Sequence, residues 1–327
     1  MLPTMLRDSF NRTIDYLRLS VTDRCDLRCS YCMPEGFKDF EEPAHWLSFD
    51  EIERVVAAFT RLGVSHVRLT GGEPLLRARL PELATRLKRL PGLRDLSLSS
   101  NATQLDKQAQ ALAQAGVKRI NISLDSLRAE RIAQIAGRDV LPKILAGLEA
   151  GKHADFQPIK INMVVMRGVN DDEIEDMVAF CMRHGFTLRL IETMPMGDTG
   201  RNAQHLDLQG VKEQLRRQFD LVEGTTFGSG PARYLQTQDG AFTVGFITPI
   251  SQHFCETCNR VRLAVDGTLY LCLGQEEKVE LRPLLRAGAS DQDLDTAIVQ
   301  AMRLKPERHE FREQPAKLMR FMSMTGG

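Results

Sequence analysis

Six times between residues 16 and 193 the chain alternates a short apolar run with a longer stretch of helical periodicity. The runs lie at residues 16–22, 64–70, 93–99, 117–124, 158–166 and 187–193. Strands separated each time by a helix are too far apart for hairpins, so they pair in parallel through right-handed crossovers. The helical patterns support this reading. Ser48 and Glu51 form a capping box opening a helix towards Leu62, and further helices are expected near 80–90, 105–115, up to about 153, and 171–184. Six strands are fewer than the eight of a closed barrel. The expected fold is α/β, a partial (open) six-stranded parallel (β/α)6 TIM-like barrel.

Past Gly197 the pattern changes. Residues 197–202 are rich in glycine and polar side chains and read as a linker. Beyond it come a helix at 208–219, short strands at 241–248, 260–265 and 268–273, helices at 281–287 and 291–302, and a charged, extended tail after Arg303. The expectation is two parts, a barrel over 1–197 and a smaller C-terminal α+β layer over 198–327. Lysine plus arginine equals aspartate plus glutamate at 43 each, which disfavours a nucleic-acid binder. No apolar run approaches the roughly 20 residues of a membrane span, and the first residues lack the pattern of a secretory signal. A cytoplasmic setting is expected, where seven cysteines point to metal or catalysis rather than disulfides.

Six of those cysteines fall into two triplets: Cys25-x3-Cys29-x2-Cys32, after the first strand, and Cys255-x2-Cys258 with Cys272. Thiolates are the soft ligands that iron–sulfur clusters and zinc take. Three cysteines leave one corner of a four-iron cluster open, where a substrate or cofactor can bind iron directly. Structural zinc is the alternative, stronger at the second triplet, where His253 could be a fourth ligand. Cys181, in an apolar helical stretch, reads as core. Lys160 sits in an otherwise apolar strand, where an unpaired ammonium would be costly, so an anionic partner is expected. Arg260 and Arg262 alternate on one short strand and can face one pocket. No phosphate-cradling P-loop is present; Gly147 to His153 reads as a helix end.

The x3-x2 spacing with Tyr31 before the last cysteine resembles the radical S-adenosylmethionine (SAM) superfamily. In that superfamily three thiolates hold a four-iron cluster whose open iron is chelated by SAM, and one electron cleaves SAM to methionine and a 5′-deoxyadenosyl radical. Gly71-Gly72-Glu73-Pro74 follows the second strand; its glycines permit close backbone approach, and Glu73 can accept hydrogen bonds from the SAM ammonium. Nearly the whole chain is similar to the GTP 3′,8-cyclases of molybdenum cofactor biosynthesis, through Asp15 to Cys25, Arg68 to Pro74, Ile120 to Asp125, Cys255 to Arg262 with Cys272, and Gly326-Gly327.

The resemblance implies two [4Fe-4S] clusters, on Cys25, Cys29 and Cys32 and on Cys255, Cys258 and Cys272, the second binding the guanine of GTP. It implies SAM contacts from Tyr31, Gly72, Ser123 and Met194. It implies GTP contacts from Arg18, Arg68, Ser99, Lys160, Arg189, Arg260, Val261 and Arg262, and a Gly326-Gly327 end reaching the active site. The partners implied are a reductant protein and a downstream cyclic pyranopterin monophosphate synthase; a homodimer is left open. Two positions depart from the pattern. Ala102 stands where the family has glycine, which puts the local turn in question, and His66 stands where some relatives are basic. The competing readings are a radical SAM peptide-modifying enzyme with an auxiliary cluster and a non-enzymatic zinc module binding nucleic acid.

Overall fold

The apolar runs are strands, and each alternates faces. Leu17 and Leu19, Val67 and Leu69, Leu96 and Leu98, Ile120 and Ile122, Ile161 and Met163, and Leu188 and Leu190 are buried in the core. The residues between them are polar: Arg18, Arg68, Ser97, Asn121, Asn162 and Arg189. With a side-chain period of two, one face of the sheet packs on helices and the other carries polar groups.

The computed structural model of the chain describes residues 5–33, 42–224, 230–314 and 317–326. Strands β1 (Tyr16–Ser20), β2 (His66–Thr70), β3 (Asp95–Ser100), β4 (Arg119–Ser123), β5 (Ile159–Val165) and β6 (Thr187–Glu192) alternate with helices α1 (Phe49–Arg61), α2 (Leu80–Lys88), α3 (Leu105–Gln114), α4 (Ala129–Ala136), α5 (Leu141–His153) and α6 (Ile174–His184). The expected capping box opens α1, with Ser48 and Glu51 bonded reciprocally. After them come α7 (Gly197–Asn202), α8 (Leu208–Gln218), β7 (Val222–Gly224), β8 (Arg233–Gln236), β9 (Thr243–Ile247), β10 (Arg260–Leu263), β11 (Thr268–Tyr270), β12 (Lys278–Glu280), α9 (Arg282–Arg286), α10 (Asp291–Met302) and α11 (Met322–Thr325).

The architecture is α/β around a parallel sheet, but the sheet is larger than the sequence suggests. Its order is β12-β11-β10-β1-β2-β3-β4-β5-β6-β9-β8-β7. β10 pairs in parallel with β1 and β9 in parallel with β6, so the C-terminal strands extend both edges of one sheet instead of forming a layer of their own. The outer pairs, β11–β12 and β7–β8, are antiparallel hairpins.

Two local expectations are corrected. Residues 197–202 are a helical turn, not a linker, and their glycines serve packing: a Cβ at Gly197 would stand 2.6 Å from the Phe321 ring, and one at Gly200 2.3 Å from the Met194 carbonyl oxygen. The tail past Arg303 is also not simply extended. Phe311 and Leu318 join Met196 in a small second core, and the tail ends in α11.

Candidate active site

After β1 the chain turns into the loop bearing Cys25, Cys29 and Cys32, and the turn after β2 closes onto it. Gly72 N donates to Thr22 O at 2.9 Å and Glu73 N to Arg24 O at 2.6 Å. A Cβ at Gly72 would lie 2.1 Å from the Arg24 carbonyl oxygen, and one at Gly71, where φ is +144°, 2.2 Å from that of Thr22. Main-chain contact with the cysteine loop therefore requires both glycines. Glu73 is buried and accepts from Leu75 N at 3.0 Å, Asn101 N at 2.6 Å and Ser100 Oγ at 2.8 Å. Burial, opposed by these bonds, raises its pKa to about 7. Tyr31 Oη donates to Asp125 Oδ2 at 2.8 Å, while Asp125 Oδ1 accepts from Val164 N at 2.8 Å, tying the loop to β4 and β5.

Ala102 holds φ at +63°, the left-handed conformation for which glycine is the usual choice. Its turn is fastened by Ala102 N donating to Ser100 Oγ and Thr103 N to Asn101 Oδ1, each at 2.9 Å. The methyl group is thus accommodated in a strained turn held by its neighbours.

A cavity lies over the first triplet, lined by all three cysteines and by Tyr31, Gly72, Ser123 and Met194. Burial pushes up the thiols of Cys25 and Cys29, and burial followed by Asp125 pushes Cys32 up to about 12. Such thiols ionise only when a strong cation stabilises the thiolate, as a metal centre does.

The second triplet is fixed by arginines. Arg12 donates to the carbonyl oxygen of Cys255 at 2.8 Å, and Arg320 to that of Cys272 at 2.8 Å. Burial also pushes the Cys258 thiol up, but Lys305 and then Arg260 outweigh it and its pKa falls below the ordinary value. Beside the cysteines stands a row of cations. In the β10-β1-β2 register Arg18 lies opposite Arg262 on one side and Arg68 on the other, and like charges so placed repel. Burial, then Arg262, lowers Arg18; burial, then Arg260, lowers Arg262 to about 10; burial, with Tyr234 opposing and Arg68 adding, lowers Arg189 to about 10. The Nε atoms of Arg18, Arg189 and Arg262 are buried without a hydrogen-bond partner among the described residues. Buried cations in that condition call for an anion.

These arginines, with Arg68, Arg260, Ser99 and the second triplet, line a second cavity. Ser99, Asn162, Ile191 and Met194 line both cavities, so the two triplets flank one shared wall. Two residues expected to contact GTP, Lys160 and Val261, are not among those lining this cavity. Lys160 is buried with Nζ 3.3 Å from Tyr234 Oη, and Val261 packs in the core on the face opposite Arg260 and Arg262. His66 bonds Ser65 Oγ at 3.0 Å, outside both cavities, and Cys181 is buried in the core. Gly326 has φ +68°, and a Cβ there would lie 2.3 Å from Thr70 Oγ1, so the tail does reach the rim of the sheet; Gly327 lies outside the described residues.

His253 is exposed, and among the described residues no three His, Cys, Asp or Glu side chains converge on a single ion. A lone tetrahedral zinc draws its ligands close together. Sequence reasoning missed Tyr16, Asn162 and Lys305, all lining the second cavity. Tyr16 was accessible from period two with Arg18, and Asn162 from period two with Lys160; Lys305 carried no local signal.

The Radical SAM superfamily model matches residues 19–181, and the Molybdenum Cofactor Synthesis C model residues 186–311. Proteins described as GTP 3′,8-cyclase from Pseudomonas putida (strain W619) and Erythrobacter litoralis (strain HTCC2594) are 46% and 47% identical to this chain, with 98% and 100% of each chain covered. The chain belongs to the GTP 3′,8-cyclase family. It is also a radical SAM protein in fold: the Streptococcus suis protein SuiB, in its crystal structure bound to S-adenosylmethionine, superposes with a TM-score of 0.62 over 86% of this chain and 67% of its own, at 15% identity. At that identity the likeness shows the fold alone. No helix among the described residues is long and apolar enough to cross a membrane.

Proposed function

We propose that this chain converts GTP to (8S)-3′,8-cyclo-7,8-dihydroguanosine 5′-triphosphate, the opening step of molybdopterin biosynthesis, in the cytoplasm. The observation that carries the reading is the buried arginine row beside the second cysteine triplet, in a cavity sharing a wall with that of the first. A triphosphate carries roughly four negative charges, and arginine forks match its oxygens two at a time. Arg18, Arg68, Arg189, Arg260 and Arg262 would bind the phosphates. Ser99, on the shared wall, would meet the ribose side. Lys160 enters as a second line of charge behind Arg189, and Val261 through its main chain.

Cys25, Cys29 and Cys32 would hold one [4Fe-4S] cluster with SAM, placed by Tyr31, Gly72, Ser123 and Met194. Cys255, Cys258 and Cys272 would hold the other, facing the guanine. When bound, the first cluster and SAM supply the one-electron chemistry that removes the hydrogen atom from C3′ of the ribose. The protein's part is geometric and electrostatic. The polar inner face of β1–β6, curved as a partial six-stranded barrel, and the 198–327 region close around the nucleotide. They hold C3′ towards the first triplet and exclude water. A reductant protein would deliver the electron, and cyclic pyranopterin monophosphate synthase would take the product.

GTP deuterated at C3′ tests this. In reconstituted enzyme with SAM and reductant, the label should appear in 5′-deoxyadenosine. Turnover that leaves the deuterium in the nucleotide would reject the reading.

A further inference from the structure

Lys305 lies three residues beyond the end of α10 and is 2% exposed. Its Nζ donates to the carbonyl oxygens of Arg260, at 3.1 Å, and Leu271, and stands 3.8 Å from Cys258 Sγ. Those two carbonyls lie on the segment that joins the triplet's second and third cysteines. Arg260 is two residues past Cys258, and Leu271 immediately precedes Cys272. An ammonium has three protons to donate; two are used by main-chain oxygens, and that fixes the third towards the sulfur. The partners found among the described residues are two carbonyls and a thiol, with no carboxylate to neutralise the charge. A buried cation without a counter-ion is costly, and the negative group closest to hand is the thiolate of a ligated Cys258. The side chain also lines the second cavity.

We propose that Lys305 is a positioning residue for the group held by the second triplet, its fixed positive charge and N–H···S contact raising that group's reduction potential. The inference rests on the reading that this triplet holds an iron–sulfur cluster. The reduced cluster carries one more electron than the oxidised one, so a nearby cation stabilises it preferentially, and hydrogen bonds to ligand sulfur act in the same direction. A merely structural lysine, tying the Arg260 strand to the Cys272 loop, would leave the potential where it is.

The test uses the full chain carrying Cys25→Ser, Cys29→Ser and Cys32→Ser, reconstituted anaerobically so that iron resides at the second triplet alone. The midpoint is read by electron paramagnetic resonance during dithionite titration. Lys305→Met should shift the reduction equilibrium at least tenfold against the reduced form, about 59 mV lower for one electron. Lys305→Gln retains N–H donors for both carbonyls but lacks the charge; it should shift the midpoint in the same direction and carries the test if the methionine variant folds poorly. Lys305→Arg should return the midpoint towards that of the parent. A parent chain that binds no iron–sulfur cluster refutes the cluster reading itself. A parent that binds one, with the glutamine variant at the parental midpoint, overturns this inference and leaves that reading intact.

Discussion

Replacing Arg262 with methionine should stabilise the cluster-free protein and weaken GTP binding at once. In the folded chain the Arg262 guanidinium is buried, stands next to Arg260, and has its pKa lowered from 12.5 to about 10. That difference corresponds to about 3 kcal/mol disfavouring the charged form in the fold. The sign follows from linkage. A base whose folded pKa is depressed is destabilising at every pH below the folded value, and the effect fades only as pH rises from about 10 towards 12.5. At neutral pH the whole penalty is present. Methionine keeps an unbranched apolar stem and removes the charge. The gain is therefore bounded by about 3 kcal/mol and reduced by lost packing.

GTP would lose a charge-assisted contact worth about 1.5–3 kcal/mol, roughly ten- to 150-fold in affinity. The assays are denaturant unfolding of the cluster-free chain and equilibrium binding of GTP and SAM to the reconstituted one. SAM affinity should hold. A methionine variant that is less stable than the parent, or that binds GTP equally well, would show Arg262 to be structural and refute the argument.

Anaerobic reconstitution should load about eight irons per chain, and Cys25→Ser, Cys29→Ser and Cys32→Ser together should remove about half. Zinc in place of the half on Cys255, Cys258 and Cys272 would refute the second cluster. Gly326→Ala should undock the tail, because the left-handed φ costs about 1–2 kcal/mol and the new Cβ meets Thr70; limited proteolysis should then cut within 317–326, and parental resistance would refute the docking. Glu73, raised by burial from 4.5 to about 7, favours the folded cluster-free chain while it is protonated. That contribution, about 3 kcal/mol, is fully present below about pH 4.5 and lost as pH rises to about 7. Glu73→Gln should flatten the stability–pH curve over that window, and an unchanged slope would rule this contribution out.

The strand–helix alternation was legible because it is local: capping at Ser48, apolar periodicity, and turns between them. Two things were not. The parallel pairing of β10 with β1 and of β9 with β6 joins residues more than 50 positions apart, and no local pattern encodes such pairing. Gly197 and Gly200 fall in a stretch that reads as a linker because glycine and polar residues usually mark loops, whereas here the missing side chains admit Phe321 and the Met194 carbonyl. The site divided along the same line. The cysteine spacings pointed to both triplets, but only the register aligns Arg18, Arg68 and Arg262. Val261 rested on family resemblance and Lys160 also on its charge within an apolar strand, and their side chains turn to the core and to Tyr234.

The same long-range pairing explains why one cavity wall serves both triplets. β10 brings Cys258 and Arg260 alongside Tyr16, so the second triplet reaches the mouth of β1, from which the first triplet's loop departs at the opposite end. The tail then binds each site in turn. Lys305 meets Cys258, Arg320 holds the Cys272 carbonyl, and Gly326 rests on Thr70 beside the Gly71 turn. A chain in which β10 failed to pair with β1 would keep both sets of thiols but lose their opposition across Ser99, Asn162 and Met194. On the proposed reading, GTP held at the second triplet would then stand out of reach of chemistry at the first. Pairing of β10 with β1, more than either cysteine motif, is what sets the two cavities against one wall.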